Sequence, residues 1–170
     1  LVAGPVNLPT PARVQRIDVT SAQDMLDACL AALPADIFIA SAAVADYRPA
    51  SAADQKMKKD TANEDGLTLT LVRNPDILAT LAEHSQRPDC CVGFAAETHD
   101  VLNYAADKLQ RKKLDLIVAN DVSQSGIGFN SDDNAVTLID RQLERCSLPQ
   151  ASKQKLARQI IARIAGQLNH

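Results

Sequence analysis

With 170 residues, 46% of them apolar, the chain is long enough to bury one sizeable core and too apolar to stay disordered. A net charge of −3 argues against a general nucleic-acid binder, which needs a broad basic surface. No apolar run approaches ~18 residues, so the sequence holds no transmembrane helix, and no signal peptide is visible in it.

Leu1-Val2-Ala3-Gly4-Pro5 reads as the tail of a strand running into a turn, as if a preceding strand and helix belonged to it. Residues 14–19 alternate as a strand. Thr20 and Gln23 have the spacing of a capping box, and the helix behind them places Met25, Leu26, Cys29, Leu30 and Leu33 on one stripe. Residues 36–42 form a continuous apolar run, expected of a parallel strand covered on both faces. From 49 to 65 apolar periodicity is absent, the mark of a functional or mobile loop, which Asp65-Gly66 closes with a turn signal. Residues 67–73 read as a strand. Asn74-Pro75-Asp76 reads as a helix start, with Asn74 capping, Pro75 at the first helical position and Asp76 favouring the dipole. Residues 91–96 are a buried strand. A helix over 100–113 turns Leu102, Ala105, Ala106 and Leu109 inward, and 114–119 is a further strand. Residues 134–140 alternate like an exposed edge strand, with 142–146 as a hairpin partner. A last helix starts near Ser152 and turns Leu156, Ile160, Ile161, Ile164 and Leu168 inward. The alternation predicts an α/β fold: three layers, Rossmann-like, with a mostly parallel sheet and an antiparallel addition near the C-terminus, in a single domain.

In such sheets ligands sit beyond the carboxyl ends of the strands. Four segments fall there: 40–46, 74–78, 94–98 and 120–123. Small residues at Ala40, Ser41 and Ala42 admit a ligand close to the backbone, and Asp46 can bond a sugar hydroxyl or a base. Free N–H groups from Pro75 to Leu78 favour an anion. Ordinary capping explains each segment alone; convergence on one rim would not. Lys56, Lys58 and Lys59 are either a solvated charge run or a lid over phosphates. Lys108 and Lys112, four apart, share a helical face and repel unless an anion sits between them, with Asp107 and solvent as the plain alternative. Glu97 is a weak general-base candidate. His84, His99 and His170 lack metal-ligand spacing. Ser41 lacks a hydrolase arrangement, and no dinucleotide fingerprint or P-loop is present. Cys29, Cys90, Cys91 and Cys146 form no CxxC pair and fit an intracellular protein with reduced thiols, Cys29 serving as a small core residue.

On these residues the chain resembles phosphopantothenate–cysteine ligase, in bacteria usually the C-terminal half of a bifunctional coenzyme A biosynthesis protein. The matching stretches, in family order, are Ala42 to Pro49, Lys56-Met57-Lys58-Lys59, Asn74-Pro75-Asp76-Ile77, Val92 to Thr98, Leu114 to Ser123 and Phe129-Asn130-Ser131-Asp132. The resemblance implies CTP as co-substrate with Mg²⁺, 4′-phosphopantothenate and cysteine as substrates, and an acyl-cytidylate intermediate. It implies nucleotide binding by Ala40, Ser41, Ala42, Asp46, Lys56, Pro75, Asp76, Ile77, Leu78, Phe94, Lys108 and Lys112. Lys56 carries the catalytic role within a mobile lysine flap spanning 49–65, and no metal ligand is assigned. It further implies a cytoplasmic homodimer and a decarboxylase domain in the full-length protein. The family's Gly-rich phosphate loop and Asn-bearing segment would precede Leu1, so the chain is expected to carry the fold and nucleotide site without full activity. Two other readings stay open: a nicotinamide-dependent oxidoreductase, which has no use for a lysine flap, and a non-catalytic dimerisation subunit, which would not bind CTP.

Overall fold

The computed structural model describes residues 1–52, 55, 68–97, 99–121 and 131–168. Their elements follow as β1 (Val2–Ala3), β2 (Ile17–Asp18), α1 (Ala22–Ala31), β3 (Ile37–Ala40), β4 (Tyr47–Pro49), β5 (Leu71–Arg73), α2 (Ile77–Ala82), β6 (Cys90–Glu97), α3 (Val101–Arg111), β7 (Leu116–Asp121), β8 (Asp133–Asp140), β9 (Arg145–Ser152) and α4 (Lys153–Leu168). The central sheet runs β3-β6-β7-β8-β9. Its first three strands are parallel, while β8 and β9 run antiparallel. This is the expected α/β sheet with its antiparallel addition. Two small two-stranded sheets flank it, β1 with β2 and β4 with β5.

Residue size along β6 sets the layering. Cys91, Gly93 and Ala95 point to one face, where α2 and α3 lie close; Cys91 and Ala95 pack there with Leu78, Ala105, Leu109, Ile117 and Ile139. A Cβ on Gly93 would meet Leu114 Cδ1 at 2.8 Å and Leu78 Cδ2 at 2.9 Å, so the absence of a side chain is what lets α2 approach the sheet. The alternate residues Val92 and Phe94 join Leu116, Val118, Val136 and Leu138 on the other face, against Leu156, Ile160 and Ile164 of α4. Three layers result: α2 and α3, the sheet, and α4. Leu116, Ile117 and Val118 are wholly buried, each contributing roughly 1.5–3 kcal/mol from removal of its side chain from water.

Several sequence expectations need correction. Residues 36–42 are not covered on both faces: β3 is an edge strand, and Ile37 and Ile39 stay 39% and 37% exposed because α4 does not reach across them. Residues 134–140 are not an edge, since β8 is hydrogen-bonded on both sides and β9 takes the edge. The 67–73 strand shortens to Leu71–Arg73 among the described residues and leaves the main sheet to pair antiparallel with β4. The cap of α1 is Ser21, in a capping box with Asp24 rather than Thr20 with Gln23; Thr20 instead donates to Asp24 at 3.1 Å. On α4, Ile161 and Leu168 are 51% and 42% exposed and lie off the buried stripe.

Candidate nucleotide cleft at the carboxyl rim

β3 and β6 run parallel and deliver their carboxyl ends to the same rim, as the crossover through an intervening helix requires. A cleft of about 500 Å³ opens there, within the size range of small-molecule sites. It is lined by Ala40, Ala42, Val44, Ala45, Asp46 and Tyr47 from the end of β3 to β4, by Arg73 to Leu78 from β5 into α2, and by Phe94, Lys108, Arg111 and Lys112. Among the twelve residues expected to meet a nucleotide, those lining this cleft are Ala40, Ala42, Asp46, Pro75, Asp76, Ile77, Leu78, Phe94, Lys108 and Lys112. Ser41 lines a neighbouring, more apolar cavity of about 370 Å³. Lys56, Lys58 and Lys59, with most of 49–65, lie outside the described residues, as do Thr98, Val122, Ser123, Phe129 and Asn130. Asn120, next to last in β7, does not line the cleft; three of the four rim segments meet there through described residues, and most of the fourth lies outside them.

The start of α2 differs from its sequence reading. Asp76, not Asn74, is the cap, its carboxylate accepting the Ala79 N–H at 3.1 Å, and Pro75 therefore stands outside the helix. Lys112 Nζ reaches the same carboxylate at 2.9 and 2.8 Å. Burial raises the Asp76 pKa, but the Lys112 hydrogen bond, the Ala79 N–H and the charges of Lys112 and Lys108 outweigh it, leaving the group below the usual carboxylate range. Lys108, one turn earlier, donates to the Phe94 carbonyl at 2.7 Å. The two helix lysines thus both line the cleft, where Asp76 pairs with Lys112 and also feels the charge of Lys108. Sequence reading missed Arg111 and Arg73. Arg111 carried a usable signal, three residues after Lys108 on the same face; Arg73, at a strand end, carried none.

A second cleft, about 570 Å³, lies at the opposite, amino-end rim between Cys90, Asp115, Asp140, Arg141 and Arg163. Most of its charges are paired: Arg87 and Arg141 hold Asp115 at 2.6 and 2.7 Å, and Arg163 holds Asp140 at 3.2 Å. It therefore reads as a structural clamp across the starts of β6 and β7 and the end of β8. Among the described residues no group of three or more His, Cys, Asp or Glu is placed to hold a metal ion, and no helix is long and apolar enough to cross a membrane.

A three-layer α/β domain with a cation-rimmed cleft at its parallel rim is the class that fold and site define. The chain belongs to the DNA/pantothenate metabolism flavoprotein C-terminal domain family, whose sequence model matches residues 1–168. It is 54% identical over 171 residues to the coenzyme A biosynthesis bifunctional protein CoaBC of Vibrio vulnificus (strain YJ016), covering 100% of this chain and 42% of that protein. It is 52% identical over 140 residues to the CoaBC of Escherichia coli (strain K12), covering 82% of this chain and 34% of that one. The crystal structure of the C-terminal domain of CoaBC matches with a TM-score of 0.79 and 36% identity, over 99% of this chain and 74% of the other. The chain thus spans less than half the length of these curated relatives and is a homologue of the CoaBC C-terminal domain.

Proposed function

We propose that the chain is the nucleotide-binding part of a phosphopantothenate–cysteine ligase working in coenzyme A biosynthesis. The observation that carries this reading is the meeting of the 40–46, 75–78, Phe94 and α3 lysine segments on one cleft. In the reaction, a carboxylate oxygen of 4′-phosphopantothenate attacks the α-phosphate of CTP. Pyrophosphate leaves, and the product is an acyl-cytidylate. The cysteine amine then attacks the acyl carbon, forming the amide and releasing CMP.

The chain's own residues have distinct parts in this. Ala40, Ala42 and Ala45 keep one wall low, so that a nucleoside can approach the backbone. Asp46 accepts hydrogen bonds from base or sugar. Lys108 and Lys112 face the phosphates, and Lys112 exchanges the Asp76 carboxylate for a phosphate oxygen. Charge-assisted contacts of this kind are the strong ones in a partly dry cleft. Mg²⁺ in nucleotide sites is usually held by one or two carboxylates together with substrate phosphates. Among the described residues Asp46 and Asp76 are the cleft's carboxylates, and a bound Mg²⁺ would spread the charge developing on the phosphates. Lys56 keeps its assignment from the resemblance: neutralising the attacked phosphate from a flap.

The same reading makes the chain a single nucleotide-binding ligase domain, joined in the full-length protein to a decarboxylase domain and located in the cytoplasm. It also makes it a homodimer; exposed Tyr47, Leu69, Leu71 and Val72 on and beside the β4–β5 pair offer apolar surface for self-association. The test is a thermal-shift series with CTP, ATP and NADH, since a ligand that binds only the folded state stabilises it. CTP is expected to raise Tm most. Equal shifts with ATP, or a larger one with NADH, would overturn the assignment.

A further inference from the structure

We infer that Asn74, backed by Arg48, is a positioning residue that fixes the two walls of the cleft relative to each other. The idea rests on the nucleotide reading of the cleft for its functional consequence, and on hydrogen bonds alone for its geometry. One wall is the loop from Ala42 to Asp46 that leaves β3; the other is Pro75 to Leu78, which enters α2. Asn74 joins them with its backbone N–H and both ends of its side-chain amide. Its backbone N–H donates to the Asp46 carbonyl at 2.8 Å, and its side-chain Nδ2 donates to the Ala45 carbonyl at 2.8 Å. Its Oδ1 accepts from Arg48 Nη1 at 3.1 Å, while the same Arg48 nitrogen donates to the Arg73 carbonyl at 2.8 Å.

The local sequence explains why Asn74 is free to do this. Asp76 has taken the cap of α2, so the amide of Asn74 is not spent on a helix N–H. Pro75 disfavours helical geometry at the residue before it, which holds Asn74 extended between the walls. An amide is the side chain that supplies donor and acceptor together; Asp would keep the acceptor for Arg48 and lose the donor to Ala45. Arg48 does not line the cleft, so it acts through Asn74 and the Arg73 carbonyl.

The experiment compares Asn74→Ala, Asn74→Asp, Arg48→Ala, Arg48→Lys and the Arg48→Ala/Asn74→Ala double variant in the intact protein. It reads CTP affinity by calorimetry, Tm, and hydrogen exchange of residues 42–48 without nucleotide. Asn74→Ala should weaken CTP by about fivefold, the scale of one lost hydrogen bond, with Tm little changed. Asn74→Asp should not rescue it. Arg48→Lys should recover part of the Arg48→Ala loss, and the double variant should lose less than the sum of the two single losses, because the two residues share one hydrogen bond. Exchange in 42–48 should accelerate in Asn74→Ala. Unchanged exchange together with unchanged CTP affinity would overturn the inference, as would CTP losses that merely follow Tm. If the wild type does not bind CTP while exchange still accelerates in Asn74→Ala, the clasp stands and the nucleotide reading alone falls.

Discussion

Asp76 closes the first turn of α2 and neutralises Lys112 with one carboxylate, and the two duties can be separated. Asn is as good a cap as Asp, so Asp76→Asn keeps the hydrogen bond to the Ala79 N–H and removes the charge. The folded-state pKa lies below the reference value of 3.8, so the carboxylate's stabilising contribution is present above that value and is lost as pH falls through the folded pKa. Urea or thermal unfolding across pH should therefore separate wild type from Asp76→Asn at neutral pH, the gap closing under acid; a gap that persists well below 3.8 would assign the effect to packing. The Lys112 side has its own readout. Charge-assisted contacts are typically worth ~1.5–3 kcal/mol, so Lys112→Ala should weaken CTP strongly and CMP, which lacks the outer phosphates, much less. Equal weakening of both in calorimetry at fixed salt would mean that Lys112 does not read the outer phosphates. The shared face of Lys108 and Lys112 was legible from their spacing. Their counter-ion was not, because Asp76 stands 36 positions away in sequence and only the packing of α3 beside α2 brings it near.

Gly93 ties the floor of the cleft to the core at the level of whole elements. Leu78 lines the cleft from α2 and also lies within 2.9 Å of where a Gly93 side chain would stand, so any added atom pushes the cleft wall. Gly93→Ala should cost ~1–3 kcal/mol in denaturant unfolding, the usual range for overpacking, and should weaken CTP as well. Undiminished stability would mean that α2 slides freely over β6. Element types were largely readable, because apolar spacing on α1, α3 and α4 and the buried runs of β6 and β7 reflect one-sided or two-sided burial. Boundaries were not. Ser21 displaced Thr20 as a cap because its backbone is the extended one next to the helix. Asp76 rather than Asn74 caps α2 because the helix begins at Ile77, and the freed Asn74 amide goes to Ala45 and Arg48, tertiary partners that no local pattern encodes. β4 escaped notice because Tyr47-Arg48-Pro49 has no apolar alternation and exists as a strand only through β5.

Scaled up to the molecule, the cleft draws its lining from elements spread between Ala40 and Lys112, while β8, β9 and α4 serve as its support from the far side. The outer strand of the sheet has a consequence for solubility. β9 carries Arg145, and Pro149 falls near the register shift between Asn134 and Val136. Proline offers no N–H to an incoming strand, and a charged edge repels stacking. Fibril-like accretion is thereby blocked along β9, and in crowded solution any strand-on-strand growth has to begin elsewhere on the surface.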